Sequence, residues 1–234
     1  MPPPPGIPPH APPEPPDRLG LLCADVKDAN FLTAILAGVR PDLPVDVMMS
    51  GPALDAWARW ITPASRLIAF CTGIVVPAEV LAALGGPAYN FHPGPPAYPG
   101  KYPALFAVYD GATKFGATLH EMRARVDSGP IVGVTEFPVP PDADAPWLEA
   151  HAHQAALHLF LRCVRDLACD REPLEALSVN WSNRRCSRQA FEELCTLTPE
   201  VSAEELERRK RVASQMPGAT LRVLVHGLGF DLKL

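Results

Sequence analysis

From Leu19 onward the chain alternates short apolar runs with amphipathic segments: LGLLCADV, DANFLTAILAGV, VDVMMS, PALDAWARW, RLIAFCTGIVV, PAEVLAAL and AYNFHP. Runs that are apolar at successive positions suit strands buried on both faces, and the segments between them suit helices that cover those faces. The pattern predicts an α/β fold: a Rossmann-like, mostly parallel sheet built from βαβ units, with helices on both faces. Beyond it a helix is predicted at PALFAVYDG, strands at FGATLHEM and GPIVGVTEFPV, and a long helix from about Ala145 to Ala168. SAEELERRKRVAS reads as a short, capped, charged helix leading into ATLRVLVHGLGFDLKL, two alternating runs around Gly227 to Gly229 that predict a β-hairpin.

This divides the chain into a tail over 1–17, a main domain over 18–170 and a C-terminal extension over 171–234. The tail, MPPPPGIPPHAPPEPPD, is mostly proline, which removes amide donors and fixes φ, so it is expected to be disordered or polyproline-like. No internal repeat is evident.

Composition narrows the function classes. With 47% apolar and 20% charged residues in 234, the chain has ordinary globular content. A net charge of −5 argues against nucleic acid as the main partner, since backbone binding needs an excess of Lys and Arg. No run approaches the roughly 20 apolar residues of a membrane span, and the start lacks a signal peptide's basic and apolar regions, so a soluble, cytoplasmic protein without membrane attachment is expected. Cys23, Cys71, Cys163, Cys169, Cys186 and Cys195 form no CxxC pair and read as reduced thiols. The first turn, CADVKDAN, lacks GxGxxG, which disfavours NAD or FAD.

Candidate chemistry concentrates in YNFHPGPPAYPGKYPA, residues 89–104. Asn90 and His92 fall at the carboxyl end of a predicted parallel strand, the edge where open α/β sheets place their sites, and alternation puts both on one side. The prolines and glycines that follow are expected to form a stiff loop that turns away from the strand without covering it. Downstream, GATLHEMRARVDSGPIV adds His120 and Asp127. An amide, an imidazole and a carboxylate meeting in one pocket suit attack of an amine on a carbonyl. Asn90 would donate to the developing oxyanion, protonated His92 would donate as well, and Asp127 would hold the imidazolium and help take the proton of the attacking ammonium.

These residues also carry a resemblance. Asn90, His92 and Pro93, then a proline-containing loop, then Gly116, Thr118 and His120, then Asp127, Ser128 and Gly129 reproduce an Asn-x-His-Pro, G-x-T-x-H, D-x-G pattern in order, residue type and spacing. In this the chain resembles the 10-formyltetrahydrofolate-dependent formyltransferases, which include glycinamide ribonucleotide, methionyl-tRNA and sugar N-formyltransferases. The resemblance covers roughly residues 19–170, and the C-terminal helix and hairpin are similar in layout to sugar N-formyltransferases. It implies Asn90, His92 and Asp127 as the catalytic trio, with Thr118 and His120 as structural neighbours. It implies 10-formyltetrahydrofolate as donor, without a metal, against Ile74, Val75, Val76, Arg125, Val126 and Gly129. For the acceptor, Tyr98, Lys101, Tyr102 and Trp181 are candidate contacts by position and chemistry.

HPGPPAYPG is one residue shorter than the His-Pro-Ser-Leu-Leu-Pro form of many members. The glycine-rich phosphate loop of the purine enzyme is missing, and the chain stops short of the separate C-terminal barrel of the tRNA enzymes. The expected function is therefore N-formylation of a primary amine on a small molecule, an amino-sugar nucleotide being one option. A homodimer is left open. The alternatives are a 10-formyltetrahydrofolate hydrolase and a non-catalytic folate-binding or interaction module.

Two other groups are read as structural. His151 and His153 point to different faces of the long helix, and His151 and His158 lie roughly 10 Å apart along it, too far for one ion. ELERRKR reads as a solvated helix face with Glu204–Arg208 and Glu207–Arg211 pairs.

Overall fold

The computed structural model describes residues 15–184 and 186–232. In chain order the elements are β1 (Arg18–Cys23), α1 (Val26–Val39), β2 (Val45–Met48), α2 (Gly51–Trp57), β3 (Ser65–Phe70), α3 (Ala78–Ala83), β4 (Tyr89–His92) and α4 (Pro103–Asp110). There follow β5 (Lys114–Glu121), β6 (Ile131–Pro138), α5 (Ala145–Cys169), α6 (Arg188–Leu194), β7 (Thr196–Leu197), α7 (Ala203–Ala213), β8 (Leu221–Val225) and β9 (Leu228–Leu232). The expected tail falls largely in residues 1–14, outside the described residues. Pro16 and Asp17 are tied to the domain, through Pro16 O to Arg40 and Asp17 N to Ala64 O.

Six strands form one sheet in the order β2-β1-β3-β4-β5-β6. The first four are parallel, and β5 and β6 join antiparallel. Alternation in the strands supplies both faces, as the apolar runs require. Leu19, Leu21 and Cys23 of β1, Ile68 and Phe70 of β3, and Tyr89 and Phe91 of β4 join one core with α1 and α5. Leu22, Leu67 and Ala69 face the other way, into a core with α2 and α3. Full burial of a side chain such as Phe91 contributes about 1.5–3 kcal/mol, so the two layers hold the sheet at its centre. Asn90 and His92 share the α2/α3 side and line a cavity there.

The helix starts are set locally. Asp25, Ser50, Asp144 and Ser202 each accept a hydrogen bond from an N–H of the first turn of α1, α2, α5 and α7. The charges of α7 pair differently from the expected pattern. Glu205 takes Arg209 and Arg208, and Glu207 takes Lys210, while Arg211 donates to Ala143 O. Tyr109 donates to Glu205 as well, which draws the ion pairs toward that carboxylate and toward α4.

The C-terminal extension contains more than a helix and hairpin. Between α5 and α6 an irregular segment runs across the main domain, and β7, β8 and β9 make a small three-stranded sheet. His226 and Gly227, both at positive φ, form the two-residue turn between β8 and β9. Among the described residues no helix is long and apolar enough to cross a membrane.

Candidate active site

Strand pairing brings the polar motifs together. In the β4–β5 register Asn90 stands opposite His120 and His92 opposite Thr118, all on the side away from the α1/α5 core. After β5 the chain turns, and Asp127, at φ 44°, directs its carboxylate back onto both imidazoles. Its Oδ1 lies 3.1 Å from His120 Nε2 and its Oδ2 3.5 Å from His92 Nδ1. The Gly100 N–H donates to Oδ2 at 2.7 Å, which fixes the carboxylate from the opposite wall.

The loop after β4 behaves differently from expectation. It folds back over His92, and Nε2–H of that ring donates to Tyr98 O at 3.0 Å. Gly94 makes this possible, because a Cβ there would lie 2.6 Å from Nε2 and 2.8 Å from Pro103. Thr118 closes the same turn by donating Oγ1–H to Gly94 O at 2.8 Å. With Nε2 occupied, Nδ1 is the ring atom of His92 left facing Asp127.

His120 Nδ1–H donates to Glu121 O at 2.7 Å, and its Nε2 meets both Asp127 and the Asn90 amide, the latter at 3.0 Å. A proton on Nε2 satisfies Asp127 and turns the Asn90 carbonyl toward the ring. A lone pair there accepts one Asn90 N–H instead. In either arrangement at least one N–H of the amide remains for another acceptor.

Burial is the dominant influence on His92 and lowers its pKa below the ordinary 6.5, while the charge of Asp127 and the Tyr98 carbonyl oppose it only in part. Burial therefore favours the neutral ring over the imidazolium. For Asp127 burial alone would raise the pKa, but the His120 hydrogen bond, the two histidine charges and the Gly100 N–H outweigh it and hold the carboxyl below the ordinary 3.8. The site thus pairs an ionised carboxylate with a neutral imidazole, as a proton-accepting dyad requires.

These groups lie on a cavity of about 310 Å³. Ile74, Val75, Val76 and Val126 line it, and Val75 and Val126 are 63% and 54% exposed at its lips. Lys101 is also on the lining. The other expected residues sit elsewhere. Tyr98 is buried against Phe115 and below Arg184, in the core around α4, too far inside to meet a ligand by its ring. Tyr102 starts α4 and packs on Phe191. Arg125 is exposed, with its carbonyl accepting from Ser128. Gly129 and Trp181 form a backing: Trp181 Nε1–H donates to Gly129 O at 2.9 Å, and its ring meets His120 and His92 edge-on at 5.0 and 5.9 Å.

Residues 57–164 match the formyl transferase family. A methionyl-tRNA formyltransferase of Synechococcus elongatus is 29% identical over 163 residues, covering 69% of this chain and 49% of the relative. The chain therefore spans about half the length of that relative. Among solved structures, a sugar N-formyltransferase from Shewanella sp. FDAARGOS_354 superposes with a TM-score of 0.67 at 16% identity, covering 93% of this chain and 96% of that one. An N-formyltransferase from Helicobacter canadensis, in complex with folinic acid and dTDP-3-aminofucose, gives 0.61 at 17% identity, covering 83% of this chain and 79% of that one. At such identities the structural likeness establishes the fold.

The formyl transferase stretch does not form the cavity alone. Thr72, Leu81, Met122 and Arg123 line it from within the stretch, and Cys186, Ser187 and Arg188 arrive from the C-terminal extension. None of these was read from the sequence. The last three reach the cavity because Cys186 bridges to Gly100, a long-range contact with no local signal. Gly100 itself, at φ 102°, carried one: a glycine directly after Pro99 in a proline-rich loop marks a turn position open to positive φ. The six cysteines are free thiols, and burial pushes Cys23 up to about 12 and raises Cys71 too, so neither is an activated nucleophile.

Proposed function

We propose that the protein is an N-formyltransferase that moves a formyl group from 10-formyltetrahydrofolate to a primary amine of a small molecule. The observation that carries this is the convergence of Asn90, His92 and Asp127 on one cavity, with Asp127 within 3.5 Å of the His92 ring nitrogen that faces it.

The residues fit a folate donor. Ile74, Val75, Val76 and Val126 offer an apolar slot for a flat fused ring, and two of them are exposed, as expected of a lip that a ligand covers. When bound, the donor supplies the formyl carbon and a nitrogen leaving group. Asn90 donates its amide N–H to the formyl oxygen as negative charge builds there. His92 Nδ1 takes the proton that the attacking amine sheds and delivers it to the departing nitrogen. Asp127 stabilises the imidazolium between those two transfers, and Trp181 and His120 keep the carboxylate and ring in register. No net proton or electron is gained: a carbon–nitrogen bond forms to the acceptor as another breaks.

The names of the relatives, transferases to tRNA-borne methionine or to amino sugars, support an amine over water as acceptor. The acidic net charge and the likeness along 96% of the length of a sugar N-formyltransferase support a small molecule over tRNA. Incubating the protein with 10-formyltetrahydrofolate and an amine panel that includes dTDP-3-aminofucose tests the reading. Formylated product that depends on both Asn90 and Asp127 supports it, and folate binding without any formyl loss would leave a non-catalytic module.

A further inference from the structure

Residues 95–99, PPAYP, hold three prolines, so the loop that covers His92 has only the N–H groups of Ala97 and Tyr98 for its own hydrogen bonds. Tyr98 N–H serves Pro95 O at 2.9 Å. Three of the other carbonyls take donors from the C-terminal extension: Ser182 N–H donates to Pro96 O at 2.9 Å, Ser182 Oγ–H to Ala97 O at 2.7 Å, and Cys186 N–H to Pro99 O at 3.2 Å. Tyr98 O is the one carbonyl of the five that meets a side chain of the site, at His92 Nε2.

The Tyr98 side chain anchors that carbonyl. Its ring packs on Phe115 with centroids 6.1 Å apart, and the Arg184 guanidinium lies 5.4 Å from its centroid. Arg184 also sits over Phe106, at 5.1 Å, and its Nη1 pairs with Oδ2 of Asp110, the last residue of α4, at 2.5 Å. Burial first, and then the charge and hydrogen bond of Asp110, push the Tyr98 phenol above its ordinary 10, so one carboxylate engages both the hydroxyl and the guanidinium. The Nε of Arg184 is buried and has no hydrogen-bond partner among the described residues, which leaves Asp110 and the two rings to hold the guanidinium.

This clamp bears on the chemistry of His92. The ring stands between two acceptors, Tyr98 O at 3.0 Å from Nε2 and Asp127 Oδ2 at 3.5 Å from Nδ1, and a neutral imidazole has one N–H to give them. With the proton on Nε2, Nδ1 keeps the lone pair that accepts a proton from the attacking amine. With the proton on Nδ1 it bonds to Asp127, a charged and therefore stronger acceptor, and that base is lost. The nearness of Tyr98 O decides between the two forms.

We propose that Arg184 is a positioning residue: with Asp110 it clamps the Tyr98 ring, keeps Tyr98 O on Nε2, and so selects the tautomer of His92 that can accept a proton at Nδ1. The effect on turnover rests on the formyltransferase reading of the same site, whereas the tautomer does not.

The test uses the full-length protein as wild type, Arg184→Met and Asp110→Asn, each checked for folding by circular dichroism. NMR of isotopically labelled histidine ring nitrogens reads the tautomer at about pH 8, where a histidine with its pKa below 6.5 is neutral, and His92→Asn assigns the signal. The expected result is an Nε2–H ring in wild type and a shift toward Nδ1–H in both variants. Turnover of 10-formyltetrahydrofolate with amine should then fall by about tenfold in kcat, with folinic acid affinity within twofold. An Nε2–H ring retained in the folded variants would overturn the proposal, even with stability lowered, because Arg184 would then only pack the core. An Nδ1–H ring in wild type would overturn it as well. If Arg184→Met does not fold, Asp110→Asn decides alone, and if wild type shows no turnover, the formyltransferase reading fails while the tautomer still decides the role of Arg184.

Discussion

Gly100 donates its backbone N–H to Oδ2 of Asp127 over 2.7 Å, and at φ 102° no side chain fits at that glycine. One short bond therefore joins the loop after β4 to the turn after β5, and through Cys186 it also engages the C-terminal extension. Replacing Gly100 by Ala sets a methyl 2.0 Å from Cys186 O and should cost more than about 2 kcal/mol of stability. Urea unfolding measures the loss. Activity at a temperature where the variant is still folded should also fall, because the donor to Asp127 moves.

Asp127→Asn keeps the shape and removes the charge that stabilises the His92 imidazolium. We expect kcat to fall by about 10²–10⁴-fold with donor affinity nearly unchanged. Steady-state kinetics beside folinic acid titration separates the two effects.

Protonation of the site should also be visible in stability. His92 has a folded pKa below 6.5, so the unfolded chain binds its proton first as pH falls. Stability is then lost as pH drops below 6.5 toward the folded value. Asp127, with its folded pKa below 3.8, adds stability above that range that disappears as pH falls through the depressed pKa. Both act in the same direction. Denaturant midpoints from pH 7.5 to 5 should decline more for wild type than for His92→Asn, and the acid limb of kcat should lie below pH 6.5. Equal slopes in the two proteins would contradict a buried neutral His92.

Trp181→Phe keeps an aromatic edge behind His120 and His92 but loses the Nε1 bond to Gly129 O. A destabilisation of about 1 kcal/mol and a several-fold fall in kcat are expected, since the turn carrying Asp127 loosens. Thermal unfolding and turnover of the one variant give both numbers.

The sheet was legible because its signals are local. LGLLC and RLIAF are apolar at nearly every position, and only strands covered on both sides tolerate that. Asn90 and His92 could be placed on one side by alternation, and the motif spacing supplied His120 and Asp127. What escaped was non-local or set by main chain. Nothing near Tyr98 announces that its carbonyl, and not its ring, meets His92, and the loop covers that imidazole because Gly94 leaves room for it. Arg188 and Cys186 enter the cavity through a single bridge to Gly100, which sequence periodicity does not encode. The neutral state of His92 depends on burial, a property of the assembled core.

The most direct test of the central claim is the fate of the formyl group of 10-formyltetrahydrofolate, followed by absorbance with purified protein, with and without added amine. The account predicts loss of the donor that requires an amine, yields the N-formylated product in equal amount, and is abolished by Asn90→Ala and Asp127→Asn. Amine-independent release of formate would contradict it and make water the acceptor, and full turnover by the two variants would remove the proposed mechanism.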